Sequence, residues 1–266
     1  MIFTKKSGLL FTLAFITAFS LSIFTLGANV AEAKTLKEIV ATKVLFVGIP
    51  GDYEPFAFPG PYGDYVGHDI DVAKAIGEAL GVEVVFVKSS WPTLTKDLLD
   101  GKFDMAVGGI TRTNARQRDG LLSDTVYYFG KSLIIRKTDQ KKFSSIDAVN
   151  QPSVTVGVNP GGTNERFARA NLSKANIVVI DDNMAIPFKV ADGTVDIMVS
   201  ENVEVRKYTQ KDDRLAGAFV ENTLTKDTGG YFFKKSDNEL LDFVNMWLSN
   251  AKVNGTLDAY YVKWIQ

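Results

Sequence analysis

From Lys34 onward, short β-branched apolar runs alternate with stretches in which apolar residues recur every three or four positions. The runs are Val44 to Gly48, Val82 to Val87, Phe103 to Gly109, Ser132 to Arg136, Val154 to Val158, Ile177 to Ile180 and Val195 to Ser200. A continuous apolar run is what a strand buried on both faces requires, and the helix-period stretches between the runs supply its covers. The alternation therefore predicts an α/β protein with mostly parallel sheets.

One pattern occurs twice. Leu98-Leu99-Asp100-Gly101-Lys102-Phe103-Asp104-Met105-Ala106-Val107 has the same form as Val190-Ala191-Asp192-Gly193-Thr194-Val195-Asp196-Ile197-Met198-Val199. Each copy reads as a helix end, an Asp-Gly stop and a buried strand, so the chain is expected to hold two similar lobes. The C-terminal stretch carries Leu240, Leu241, Val244, Trp247, Leu248 and Ala251 at helical spacing, then Gly255, then Leu257, Tyr260, Tyr261 and Trp264. Two amphipathic helices need a core to lie on, and the first lobe is the natural one. The expected organisation is lobe 1 over residues 34–128, lobe 2 over 129–230, and a return to lobe 1 over 231–266. Two crossings, near Phe129 to Lys131 and near Gly229 to Phe232, would make a hinge.

Residues 1–33 read differently. Lys5 and Lys6 precede an apolar stretch from Leu9 to Gly27, and Ala31-Glu32-Ala33 follows. This is the form of a secretory signal cleaved after Ala33, with an uncleaved anchor as the other reading of the same stretch. The expected product is periplasmic or secreted, with no stable membrane insertion once the signal is gone.

Composition narrows the chemistry. The 266 residues carry 30 basic and 31 acidic side chains, no Cys and one His. A balanced charge gives no footprint for nucleic acid. Without Cys there are no disulfides or thiol nucleophiles, and one His leaves few zinc sites. Catalysis, if present, must run on carboxylates, Lys, Arg or Tyr.

In parallel α/β sheets ligands gather beyond the carboxyl ends of the strands. The segments there are rich in polar and aromatic groups. Gly51-Asp52-Tyr53-Glu54-Pro55-Phe56 follows the first run, Ser90-Trp91-Pro92 the second, and Thr111 and Arg116 come after the strand ending at Gly109. Asn159-Pro160-Gly161-Gly162-Thr163 follows Val154 to Val158 and opens a helix. Its glycines and the helix start suit a carboxylate or phosphate, although an ordinary strand-to-helix connection has the same form. Glu201 and Glu204, three apart at a helix start, would share a face, as carboxylates that only offset the helix dipole also do. Arg116 reads as a carboxylate clamp or a surface cation, Trp91 as a ring platform or a packed staple, and Lys131 as a cleft or a solvated hinge residue. His68 reads as a cap-region residue. Neither a P-loop nor a dinucleotide fingerprint is present.

Several of these motifs together resemble the periplasmic solute-binding proteins of the polar amino-acid type. They are GDYEPF, GHDIDVAKAIGEALG, DGKFDMAVGGIT, Arg116 and the Gly-Thr turn. A narrower resemblance, carried by SSWPTL, ARQR and QPSVTVGVNPGGTNERFARANLSKANI, is to the cyclohexadienyl dehydratases built on that fold. It implies a two-lobed periplasmic-binding-protein-like fold of type II, with a ligand cleft between lobes joined by a two-strand hinge. It also implies cofactor-free conversion of prephenate or arogenate to phenylpyruvate or phenylalanine.

On this chain the resemblance makes Glu204 the general acid and brings Lys131 and Trp91 to the substrate. Arg116, Thr111 and the Gly109 backbone become the carboxylate clamp, facing Asn159, Gly162 and Thr163. Asp52, Tyr53 and Glu201 complete the expected binding set. Two positions depart from the pattern, Glu201 where Asp is usual and His68 where an aromatic residue is usual. The other function that fits is a non-catalytic binding protein for a basic or polar amino acid, handing its ligand to an ABC permease. A purely structural or interaction module is a third class.

Overall fold

The computed structural model describes residues 1–2 and 34–266. The signal segment and its expected cleavage after Ala33 therefore lie outside the described residues, apart from Met1 and Ile2. None of the described helices is long and apolar enough to cross a membrane.

Two five-stranded sheets form two lobes, and they correspond strand by strand. In the first the order is Glu83–Lys88, Val44–Ile49, Met105–Ala106, Phe232–Phe233, Leu121–Leu122. In the second it is Asn176–Val179, Thr155–Val158, Ile197–Glu201, Lys131–Arg136, Leu215–Ala218. The echoed segments fill equivalent places, since Met105–Ala106 and Ile197–Glu201 are each the central strand. Their stops are alike too: Asp100 and Asp192 cap the preceding helices, and Gly101 and Gly193 follow with φ of 75° and 85°. A positive φ is costly for any residue with a Cβ, which is why the stop is Asp-Gly both times.

The mostly parallel sheets expected from the sequence are instead mixed. Three strands of each sheet are parallel, while the remaining two add antiparallel. The reason lies in the crossings. Lys131–Arg136 follows directly on one crossing and Phe232–Phe233 on the other. Each enters its lobe from the cleft, where the parallel strands end, so it must run the opposite way. The crossings themselves, Tyr127–Phe129 and Asp227–Gly229, pair antiparallel with Phe129 opposite Asp227 and Tyr127 opposite Gly229.

The C-terminal helices Asn238–Val253 and Thr256–Trp264 lie on the first lobe. Leu240, Val244, Leu248, Ala251 and Leu257 are buried in one cluster with Leu45, Val47, Ile70 and Ile76. Separate clusters fill the second lobe on the two faces of its sheet. Burying a Leu or Val side chain contributes roughly 1.5–3 kcal/mol, so the return of residues 231–266 stabilises the first lobe substantially.

Candidate functional site

Between the lobes lies a narrow cleft lined by Tyr53, Trp91, Gly109, Thr111, Asn159, Gly162, Thr163, Asn164, Asn183 and Glu201. Eight of the residues singled out in the sequence are in that lining. Asp52, Arg116, Lys131 and Glu204 stand just outside it, each connected to it by a hydrogen bond. Asn164 and Asn183 line it without having been picked out.

Lys131 opens its strand and Glu201 closes the neighbouring antiparallel one, and the register sets them opposite each other. The Lys131 ammonium bonds the Glu201 carboxylate, Thr163 Oγ1 at 2.8 Å and Asn164 Oδ1 at 2.5 Å. All three of its donors are used, which a Lys that is only 3% exposed requires. The other Glu201 oxygen accepts from the hydroxyl of Tyr53, in the opposite lobe. Burial and the nearby Glu201 push the Tyr53 phenol well above its usual pKa, so it remains a donor. The hinge residue is therefore not solvated, and Glu201, the carboxylate open to a ligand cation in the sequence reading, already has one.

Glu204 is 0% exposed. Its Oε2 accepts from Ser200 Oγ, and Asn183 Nδ2 donates to its Oε1 at 3.3 Å. Burial pushes this carboxyl well above the carboxylate range. The charges of Glu201 and Asp52 add to the rise, and the two hydrogen bonds oppose it. Glu201 and Glu204 do not present one shared face to the cleft. Glu201, the N-cap of the helix Asn202–Lys211, lines the space, while Glu204 in the first turn stands behind Asn183, outside the lining. Asn183 also donates to the main-chain oxygen of Asp52 at 3.0 Å, across the cleft.

Arg116 is buried in the helix Asn114–Asp119, with one Nη1 bond to the carbonyl of Thr111 at 2.7 Å. It pairs with no carboxylate among the described residues. Burial, assisted by the charge of Arg166, lowers its pKa to about 10, so it is still a cation at neutral pH. Trp91 meets Tyr53 edge-on at 5.8 Å between ring centroids and donates from Nε1 to Asp52 Oδ1 at 2.9 Å. Burial raises the Asp52 pKa.

The Asn159 to Thr163 turn is less open than its glycines imply. Glu165, on the turn's own helix, takes the Gly161 N–H at 2.7 Å. Gly161 has φ of +71°, and a Cβ there would come within 2.7 Å of Pro92 Cα in the other lobe. The glycine is needed for lobe-to-lobe approach, whereas Gly162 and Thr163 reach the lining. Asn159 Oδ1 is buried with no partner among the described residues.

One organising residue was missed in the sequence. Asp69, fully buried, accepts from Gly108 N and Gly109 N at 2.8 Å, Tyr127 Oη at 3.0 Å and Tyr231 Oη at 3.3 Å. Asp69 Oδ2 takes the two glycines and Tyr127, and Oδ1 takes Tyr231 and lies 2.8 Å from His68 Nδ1. It ties the Gly109 edge of the cleft to both hinge crossings. The available signal was its place directly after His68 at a helix start, but its glycine and tyrosine partners are 39 to 162 residues away.

Comparison with known proteins adds to this geometry. Over 236 residues the chain is 35% identical to the cyclohexadienyl dehydratase of Pseudomonas aeruginosa, covering 89% of this chain and 88% of that protein. An ancestral amino acid-binding protein, described as a precursor of cyclohexadienyl dehydratase, superposes with a TM-score of 0.82 at 35% identity, covering 87% of this chain and 99% of its own. An ancestral cyclohexadienyl dehydratase is 45% identical over 88% of this chain and 97% of its own, with a TM-score of 0.54. The model of the bacterial extracellular solute-binding proteins, family 3, matches residues 45–266. With a two-lobed cleft fold and that match over most of its length, the chain belongs to the bacterial extracellular solute-binding proteins of family 3.

Proposed function

We propose that this protein is an exported, cofactor-independent cyclohexadienyl dehydratase acting on prephenate, arogenate or both. The observation that carries the proposal is Glu204, a fully buried carboxyl that burial pushes toward its protonated form, standing behind Asn183 at a cleft beside which Arg116 has no carboxylate partner among the described residues. The 35% identity to the Pseudomonas aeruginosa dehydratase supports the same reading.

The chemistry demands little else. As the ring carboxylate leaves as carbon dioxide, its bonding pair enters the ring and completes the aromatic system while the C4–O bond breaks. The departing oxygen takes the Glu204 proton and leaves as water, and the Glu204 carboxylate later recovers a proton from solvent. Arg116, with donors not spent on a carboxylate, holds a substrate carboxylate, and Lys131 serves another at the cost of its bond to Glu201. Trp91 packs against the ring. The leaving hydroxyl belongs at the Asn183 edge of the cleft, where the lining connects to Glu204.

A second reading has one specific observation behind it, the TM-score of 0.82 to an amino acid-binding protein. Under it the chain captures a polar or basic amino acid for an ABC permease. The Lys131 to Glu201 pair counts against it, because a ligand cation would have to displace a buried ammonium. Incubating the mature protein with prephenate and following phenylpyruvate separates the two. Turnover establishes the enzyme, whereas no turnover together with tight amino-acid binding establishes the carrier.

A further inference from the structure

Asn183 has a position that the dehydratase chemistry above does not use. It begins the short turn Asn183–Ala185 in the second lobe, is buried, and lines the cleft. Its Nδ2 carries two hydrogens and makes two bonds, to Asp52 O in the first lobe at 3.0 Å and to Glu204 Oε1 in the second at 3.3 Å. Its Oδ1 is buried without a partner among the described residues. A free amide would turn to satisfy that oxygen. Here the turn would set Oδ1 against the Asp52 carbonyl, so the closed cleft itself holds the amide with its N–H toward the acid.

From this geometry we infer that Asn183 is a positioning residue that couples closure of the two lobes to proton release by Glu204. The inference rests on the dehydratase reading. With the lobes closed, an N–H on Oε1 favours the carboxylate left when the proton departs. With the lobes apart, the Asp52 carbonyl is gone, and the amide is free to turn its oxygen to the protonated acid and retain the proton. The acid is thereby strengthened only when substrate is enclosed. Asn183 acts through Glu204 and is not itself a proton donor.

The ionisable groups facing Glu204 are Glu201 and Tyr208 on its own helix, with Asp52 and Tyr53 from the first lobe. Asp182 precedes Asn183, and Lys131, on the neighbouring strand, is held by Glu201. The nearby carboxylates raise the Glu204 pKa, so the Asn183 N–H is one of the few contacts acting the other way.

The test uses the mature protein with Asn183→Leu and, in case that variant folds poorly, Asn183→Ala. Two quantities are read: the pH profile of kcat with prephenate, and an infrared titration of the Glu204 carboxyl, identified by its loss in Glu204→Gln. The expected result is a fall in kcat of about ten- to a hundredfold, a share of what general acid catalysis supplies, with KM changed by less than about threefold. The alkaline limb should move up by about one pH unit, and the infrared titration with it, because the acid has lost a contact favouring its anion. Unchanged limb and unchanged titration overturn the inference, whatever happens to kcat. If the wild-type protein turns over no prephenate, the dehydratase reading fails, and the infrared titration alone still decides whether Asn183 tunes Glu204.

Discussion

Lys131 and Glu201, 70 positions apart in the chain, face each other across one antiparallel strand pair at the cleft edge of the second lobe. The meeting follows from topology. Glu201 ends a strand that runs toward the cleft, and Lys131 begins the strand that enters from the hinge. An antiparallel register puts such residues side by side.

Removing one member of that pair should be far worse than removing both. Lys131→Met leaves a buried carboxylate with only the hydroxyls of Tyr53 and Thr163, at a cost of about 3–5 kcal/mol, whereas Lys131→Met with Glu201→Leu should be close to neutral or stabilising. Urea unfolding of the two single variants and the double variant measures this. Strictly additive losses would contradict the buried-pair account.

Glu204→Gln keeps shape but cannot donate an acidic proton. Turnover of prephenate should fall by about a hundredfold or more, with substrate binding changed much less. Near wild-type turnover would remove Glu204 from the mechanism.

Stability should report the same group. The folded-state pKa of Glu204 is raised, so between the ordinary Glu value, about 4.3, and the folded value the native state binds more protons than the unfolded state. That contribution is full below the lower value and is lost as pH rises toward the higher one. Glu204→Gln has no such dependence. Relative to wild type it should therefore gain thermal stability as pH rises above about 4.3, which a series of melting curves checks.

Arg116→Ala should weaken binding of a carboxylate substrate by about 2–5 kcal/mol, read as a rise in KM or Kd. Arg116→Lys should recover only part of that, since an ammonium cannot make two parallel bonds to a carboxylate. Full recovery by Lys would mean that charge alone is needed.

Asp69→Asn should destabilise the protein by about 3 kcal/mol or more, because an amide turns one donor toward N–H and O–H groups that previously met a carboxylate. Ligand binding should weaken as well, through the Gly109 edge of the cleft. A denaturation midpoint and an affinity both equal to wild type would show that the other hinge contacts suffice.

The amino-acid order alone carried the two-lobe repeat, the positions of most strands and the return of the C-terminal helices. Each of these rests on local patterning: apolar runs, helical spacing at Leu240, Val244 and Leu248, and the Asp-Gly stops at 100–101 and 192–193. The cleft lining was largely legible for a related reason, since residues just past a strand's carboxyl end must lie at the sheet edge. Tertiary structure alone decided how those residues divide the work. Whether Glu201 met a ligand or Lys131 depended on strand register. Whether Glu204 lined the cleft or stood behind Asn183 depended on one helical turn, and its protonation on the water excluded around it. Asp69 and Asn183 stayed invisible because the partners that give them their roles lie 21 to 162 residues away in the chain, and a hydrogen bond of that kind leaves no periodic trace in the sequence.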